Sequence, residues 1–287
     1  MKSKCSRRDV LKLGVGTAAL GIAGPAISAA IAEQTFNQPE ESRMSNLSEF
    51  NKYGEELEKI LVLRTSPIAV KMLEKEADIP KGAIRPKKDR GYHLAQCQAF
   101  ALSRREGTTV VMLKEDHWCP TAVVAYGLEK KPESLAKWSH PYDCFEYGKY
   151  IGIVSAPLKS ATFLPDVVIT YLNPAQLRGL LLTMKIEDVP QVSGHFFPPS
   201  CGWSVVEPIK TGKYWVVIPD PGEYQRALTE EGDMMFSVPR SKMQVMMAGL
   251  RQNEHGPFAY RDHHMFMLPD FERPPFYRDL FKSWGLD

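Results

Sequence analysis

The 287 residues contain no Walker loop, no G-x-G-x-x-G dinucleotide fingerprint, no G-x-S-x-G elbow and no H-E-x-x-H pair. The common nucleotide, hydrolase and zinc-protease chemistries therefore lack sequence support. Cysteine is scarce: there are five, Cys5, Cys97, Cys119, Cys144 and Cys201, and none stand as C-x-x-C or C-x-x-C-H. Covalent haem attachment of the usual kind is excluded, and compact zinc-ribbon or thioredoxin-like readings are weakened, although a site assembled from distant loops is not. Charge of one sign is not in excess either, with 36 Lys and Arg against 34 Asp and Glu. The basic run Arg85-Pro86-Lys87-Lys88-Asp89-Arg90 is short and interrupted, so a solvated loop explains it better than a phosphate-binding strip. No nucleic-acid partner is expected, and no fixed short repeat is present.

The chain opens instead on Ser6-Arg7-Arg8-Asp9-Val10-Leu11-Lys12, followed by a nearly uncharged, Ala- and Gly-rich stretch that closes on Ala30-Ile31-Ala32. Gly14, Gly16, Gly21, Gly24 and Pro25 make this a poor spanning helix, and the small-x-small exit suits a signal peptidase. The order resembles a twin-arginine export signal, with Val10 where Phe is usual. An ordinary secretory signal is the alternative. The expectation is a leader over 1–32, cleaved before Glu33, engagement of the twin-arginine export machinery, and a periplasmic or extracytoplasmic location. Such substrates cross the membrane already folded, a route common among proteins that acquire a cofactor in the cytoplasm. Without the leader, 255 residues remain, and the net charge falls from +2 to −2 because the leader carries five basic groups and one acidic one.

Residues 33–48 read as a polar linker, 49–254 as one domain, and 255–287 as a proline- and aromatic-rich tail that packs on its own domain or docks on a partner. From Ser48, a plausible N-cap, to Leu63 the apolar positions follow one helical face. Strands are expected around Ser66 to Leu73, Thr108 to Leu113, Tyr150 to Pro157, Asp166 to Leu172, Trp215 to Ile218 and Met234 to Val238. Helices are expected over Leu94 to Arg105, from Pro120 to about Tyr126, through Leu182 after Asn173-Pro174, and over Ser241 to Leu250. Residues 76–92 and 191–204 read as loops, and Asp220-Pro221-Gly222-Glu223 as a turn. The pattern indicates an α/β domain, a mixed sheet with helices packed on it.

Within this frame the sequence resembles the domain of unknown function 169 (ArCR) family, from about Leu57 to Leu250. The likeness rests on Ser66-Pro67-Ile68-Ala69-Val70-Lys71, Cys97-Gln98-Ala99 with Ala101 and Arg104, Glu115, Cys119-Pro120, Gly127-Leu128, Pro165-Asp166-Val167-Val168, Asn173-Pro174-Ala175-Gln176, Cys201, Thr211-Gly212 and Phe236-Ser237-Val238-Pro239. The family has no agreed activity. The resemblance singles out Cys97, Cys119 and Cys201 and leaves Cys144 outside the pattern.

Those three cysteines are the candidate metal ligands. Soft thiolates select zinc, copper(I) or iron–sulfur units, and a fourth ligand could come from His93, His117, His195, Cys144 or solvent. As the N-cap of the helix opened by Pro120, Cys119 would face unpaired N–H groups that favour its thiolate. Disulfides, redox-active thiols and inert buried cysteines remain alternatives. Lys71 and Glu115 are candidate acids, bases or anion clamps, or partners in a salt bridge, while Asn173 and Gln176 mark either an anion-binding helix start or a plain cap. The methionines Met243, Met246 and Met247 follow helical spacing and suit a core face better than a copper box. The expected function is an exported protein holding a thiolate-ligated metal ion or iron–sulfur cluster, in redox or small-molecule binding. A cofactor-free extracytoplasmic binding protein, or an accessory subunit of a membrane redox complex, is the alternative.

Overall fold

A computed structural model describes residues 40–137, 143–183, 192–195, 198–252, 273 and 275–286. The expected leader, the first residues of the linker and the tail as far as Glu272, with His263 and His264, lie outside the described residues. Helix α1 spans Glu40–Leu61, and strand β1 (Ile68–Leu73) follows. Next come α2 (Pro86–Arg90), α3 (Gln96–Glu106), β2 (Val110–Leu113), α4 (Pro120–Ala125), β3 (Gly152–Pro157), β4 (Val167–Leu172) and α5 (Pro174–Thr183). The chain continues through β5 (Val192–His195), α6 (Ser200–Thr211), β6 (Tyr214–Val217), α7 (Pro221–Arg226), β7 (Met234–Pro239), α8 (Arg240–Gln252) and α9 (Pro275–Trp284). The seven strands form one mixed sheet in the order β2-β3-β1-β4-β7-β6-β5, antiparallel throughout except for the parallel pair β5 and β6.

The central strands are rich in β-branched residues, and β3 and β4 are buried along their full length because helices cover both faces of the sheet. Alternation sorts the side chains. Ile68, Val70 and Met72 of β1 join one core with Phe100 of α3, Ala122 of α4 and Trp203 and Val206 of α6. Ala69 and Leu73 join the other, with Tyr53, Leu57 and Leu61 of α1, Leu177 and Leu180 of α5, and Met243, Met246 and Met247 of α8. The three methionines are thus core residues. Among the described residues no helix is long and apolar enough to cross a membrane.

Four local expectations are corrected, the first being that residues 76–92, read as a loop, contain α2 (Pro86–Arg90) with Pro86 at its first position. The helix expected from Ser48 begins at Glu40, so Ser48 lies inside it and the second half of the supposed linker is helical. Residues 191–204, read as a loop from their Pro, Gly and Ser content, contain β5 and the start of α6. Here the burial of Trp203, Val205 and Val206 overrides the low helix propensity of Ser200, Gly202 and Ser204. The expected turn at Asp220 is the start of α7, with the Asp220 carboxylate accepting from the backbone N–H groups of Gly222 and Glu223.

Candidate functional site

Four helices begin around one cavity. Cys97 is the second residue of α3, Cys119 is the N-cap of α4, Cys201 is the second residue of α6, and Asp220 is the N-cap of α7. Specific bonds tie these starts together. Leu94, just ahead of α3, accepts from the Trp118 N–H at 2.7 Å and donates to the Asp116 carbonyl at 3.0 Å, which docks the Cys119 segment beside the Cys97 segment. The Tyr126 hydroxyl, at the end of α4, donates to the Cys201 carbonyl at 2.7 Å. One oxygen of Asp220 accepts from the Ser200 N–H at 2.9 Å and the Ser200 hydroxyl at 3.1 Å, and the other from the Gly222 N–H at 2.7 Å. The Cys97 thiol donates to the Gly222 carbonyl at 3.9 Å. Two glycines permit the close packing. Gly127, at φ +69°, ends α4 against the Phe145 and Glu146 carbonyls, and Gly202 lets α6 approach Ala125.

The cavity has a volume of about 310 Å³ and is partly open to solvent, and Cys97, Cys119 and Cys201 all line it. Gln96, Asp220 and Arg226 share the wall, together with Pro198 and Pro199. All four described cysteines are free thiols. Among the described residues, no group of three or more His, Cys, Asp or Glu side chains is gathered so as to hold a metal ion.

Burial pushes the Cys97 thiol up to about 12, the nearby Glu223 carboxylate adding to the effect and Arg226 opposing it. Burial likewise raises Cys201 well above the ordinary thiol range, with Cys97 as the next contributor. Both are protonated at neutral pH unless a guest replaces the proton. Behind Cys97 lies a buried polar cluster. Glu223 accepts from the Tyr171 hydroxyl at 3.2 Å and the Thr229 hydroxyl at 3.0 Å, and Arg104 donates to Thr229 at 3.1 Å while its guanidinium lies 4.2 Å over the Tyr171 ring. Burial raises the Glu223 carboxyl to about 7, with Asp220 as the second cause.

The other sequence candidates fall elsewhere. Lys71 alternates with the core-facing residues of β1 and so points to the sheet face opposite the cavity. Glu115 is exposed and paired with Arg85. Asn173 and Gln176 form a reciprocal cap: the Asn173 N–H donates to the Gln176 carboxamide at 2.9 Å, and the Gln176 N–H to the Asn173 side chain at 2.8 Å. The Gln176 amide also donates to the Leu61 and Val62 carbonyls at 2.9 and 3.0 Å, tying α5 to the end of α1. Cys144 is half-buried and does not line the cavity, and neither does His93, His117 or His195. His93 is exposed, His117 is buried and lowered by that burial to about 4, and His195 lies 4.4 Å from the Trp203 ring and 5.3 Å from the Trp215 ring. Gln96, Arg226 and Thr229 went unmarked in the sequence, since none sits in a motif with a known spacing, whereas Arg104 falls on the family pattern and Glu223 in the run read as a turn. The Asp-Pro-Gly-Glu run carried a helix-start signal, with Pro at the first position after an Asp cap.

No curated protein and no solved structure matches the chain. The model of one family matches residues 56–249. That span includes every element from the C-terminal part of α1 to most of α8, and hence all three cavity cysteines. The chain accordingly belongs to the domain of unknown function 169 family, described as uncharacterised ArCR.

Proposed function

We propose that the cavity houses a polynuclear iron–sulfur unit held by thiolates from Cys97, Cys119 and Cys201. The unit works in redox or small-molecule binding through a metal position that protein side chains leave open. The carrying observation is that three separate helix starts each bring one cysteine to the wall of the same cavity. One feature favours several metal atoms over one. The space of about 310 Å³ equals roughly ten water volumes, more than a bare ion fills. The N-terminal ends of α3 and α6, with Arg226, offset the negative charge that thiolates and a cluster bring. Loading removes the protons of Cys97 and Cys201, so it releases acid and strengthens as pH rises.

The test is anaerobic purification of the full chain followed by visible spectra and iron and sulfide analysis, on wild type and on Cys97→Ser, Cys119→Ser and Cys201→Ser. Expected are a brown protein with iron and sulfide in similar amounts and a marked loss of both in each variant. A colourless, iron-free wild type after reconstitution would overturn the reading. It would favour a cofactor-free pocket, which the protonated state of Cys97 and Cys201 supports.

We also propose that the chain is exported folded by the twin-arginine route, with the cluster inserted beforehand. The double substitution Arg7→Lys and Arg8→Lys should retain the protein in the cytoplasm without changing its iron content. The tail over 255–287 would then carry the contact with a membrane redox complex, and deleting it should abolish co-purification with that complex.

A further inference from the structure

We infer that α9 lies in an anionic lipid surface, its apolar stripe against the acyl chains and its basic flank among the headgroups. The inference goes beyond the reading of the tail as a contact with a membrane redox complex, because it names lipid itself, with no protein, as what this helix binds. Tyr277, Leu280, Phe281 and Trp284 stand at i, i+3, i+4 and i+7 of α9 and make an apolar stripe about 100° wide. The Leu286 N–H donates back to the Phe281 carbonyl at 3.0 Å, which keeps Leu286 at the same end of the helix. The long described helices α1, α3, α5, α6 and α8 all put apolar side chains into the cores of the sheet. Helix α9 is the exception: among the described residues, no apolar side chain of it belongs to a core or packs against one. Trp284 is 63%, Leu286 58% and Tyr277 51% exposed, an apolar surface that water solvates at a cost.

The charge beside the stripe says what covers it. Arg278 and Lys282, both exposed, stand one and five residues after Tyr277 and so share one flank, while Asp279 and Ser283 fall behind. Arg273, just ahead of the helix, holds its guanidinium 3.9 Å over the Phe281 ring and brings a third positive charge to the apolar side chains. Three cations against one acid, set along the border of an apolar stripe, complement a layer of anionic headgroups over hydrocarbon. Tyr277 and Trp284 are rings with a hydrogen-bonding tip, the residue types that anchor at such a border. Ten residues cannot span a bilayer, so the helix lies in the plane of the surface. Self-pairing fits less well, because in an antiparallel two-fold pair the same flank of each helix meets, and Arg278 and Lys282 would face their own copies.

The test uses the full chain and vesicles of phosphatidylglycerol with brominated acyl chains, which quench the fluorescence of a tryptophan that enters them. The difference between wild type and Trp284→Phe isolates the signal of Trp284. Residues 1–32 contain no tryptophan, so a lipid contact of the expected leader is silent in that difference. Trp284 should be quenched, and the double substitution Arg278→Gln and Lys282→Gln should lower that quenching at least fivefold with the melting temperature unchanged. The same loss should follow in wild type on brominated phosphatidylcholine. No quenching specific to Trp284 on phosphatidylglycerol, or equal quenching in the double variant, overturns the inference. A lipid-free dimer in sedimentation that Trp284→Ser returns to monomer would also overturn it, by placing a second copy on the stripe. Co-purification lost on deleting residues 255–287, with Trp284 unquenched by lipid, would sink this inference and leave the contact with a complex standing. Trp284 quenched by pure lipid, with co-purification intact after the deletion, would sink that contact alone.

Discussion

On the sheet face covered by α1, α5 and α8, the buried polar side chain Gln176 spends its amide on Asn173, Leu61 and Val62, among Tyr53, Leu57 and the α8 methionines. On the opposite face Gln96 is equally buried but spends nothing, beside free thiols and an arginine whose Nε is unpaired. The same residue type at the same kind of place, a helix start, is a fastener on one face and is left unsatisfied on the other. One face of the sheet is finished as a core. The other leaves buried hydrogen-bonding groups unmade, which lowers stability.

The sharpest way to break the comparison is a deletion in the finished face. Leu57→Ala should lower unfolding free energy by about 2–5 kcal/mol in chemical denaturation, through lost burial and an unfilled cavity, while guest loading per folded molecule stays the same. On the open face, the raised Glu223 carboxyl makes stability depend on pH. The native state binds a proton more readily than the unfolded chain between the ordinary carboxyl value of 4.5 and about 7. This group's contribution is therefore full below that window and is lost as pH rises through it, by roughly 3 kcal/mol in all. Glu223→Gln should flatten that part of the profile, as read by melting temperature from pH 4.5 to 8.

The two glutamines give a paired test. Gln176→Leu removes three side-chain hydrogen bonds and leaves the Asn173 N–H and the Leu61 and Val62 carbonyls unmade, so a loss of about 1–3 kcal/mol is expected. Gln96→Leu removes no hydrogen bond and buries apolar atoms, so unliganded protein should be unchanged or slightly more stable. Equal losses in the two variants would erase the distinction between the faces. The smallest effect belongs to the surface: Glu115→Gln breaks an exposed pair with Arg85 and should change stability by about 0–1 kcal/mol, without altering guest loading.

Much of the fold was legible because its signals are local. The β-branched residues of β1, β2, β3 and β4, Pro120 after Cys119, and the spacing of Met243, Met246 and Met247 each declare an element within a few residues. Helix α6 was not legible, since Pro199, Gly202 and Pro208 argue against a helix and only tertiary burial of Trp203, Val205 and Val206 makes it stable. The site divides the same way. Cys97, Cys119 and Cys201 stand in recognisable motifs and line one cavity. Gln96 and Arg226 are 130 positions apart, and no spacing rule links residues joined only by the packing of α3 against α7. Lys71, conspicuous in the sequence, is on the far side of the sheet, because a period-2 strand assigns its face only once the core is known.

The central claim is that sulfurs from three helix starts share one polynuclear guest. Iron-edge X-ray absorption on anaerobically purified full chain tests it most directly. The account predicts a sulfur shell around iron with a second shell of neighbouring iron, and loss of both when Cys119 and Cys201 are replaced together by serine. Iron bound only by nitrogen and oxygen, or a sulfur shell with no iron neighbour, would contradict it.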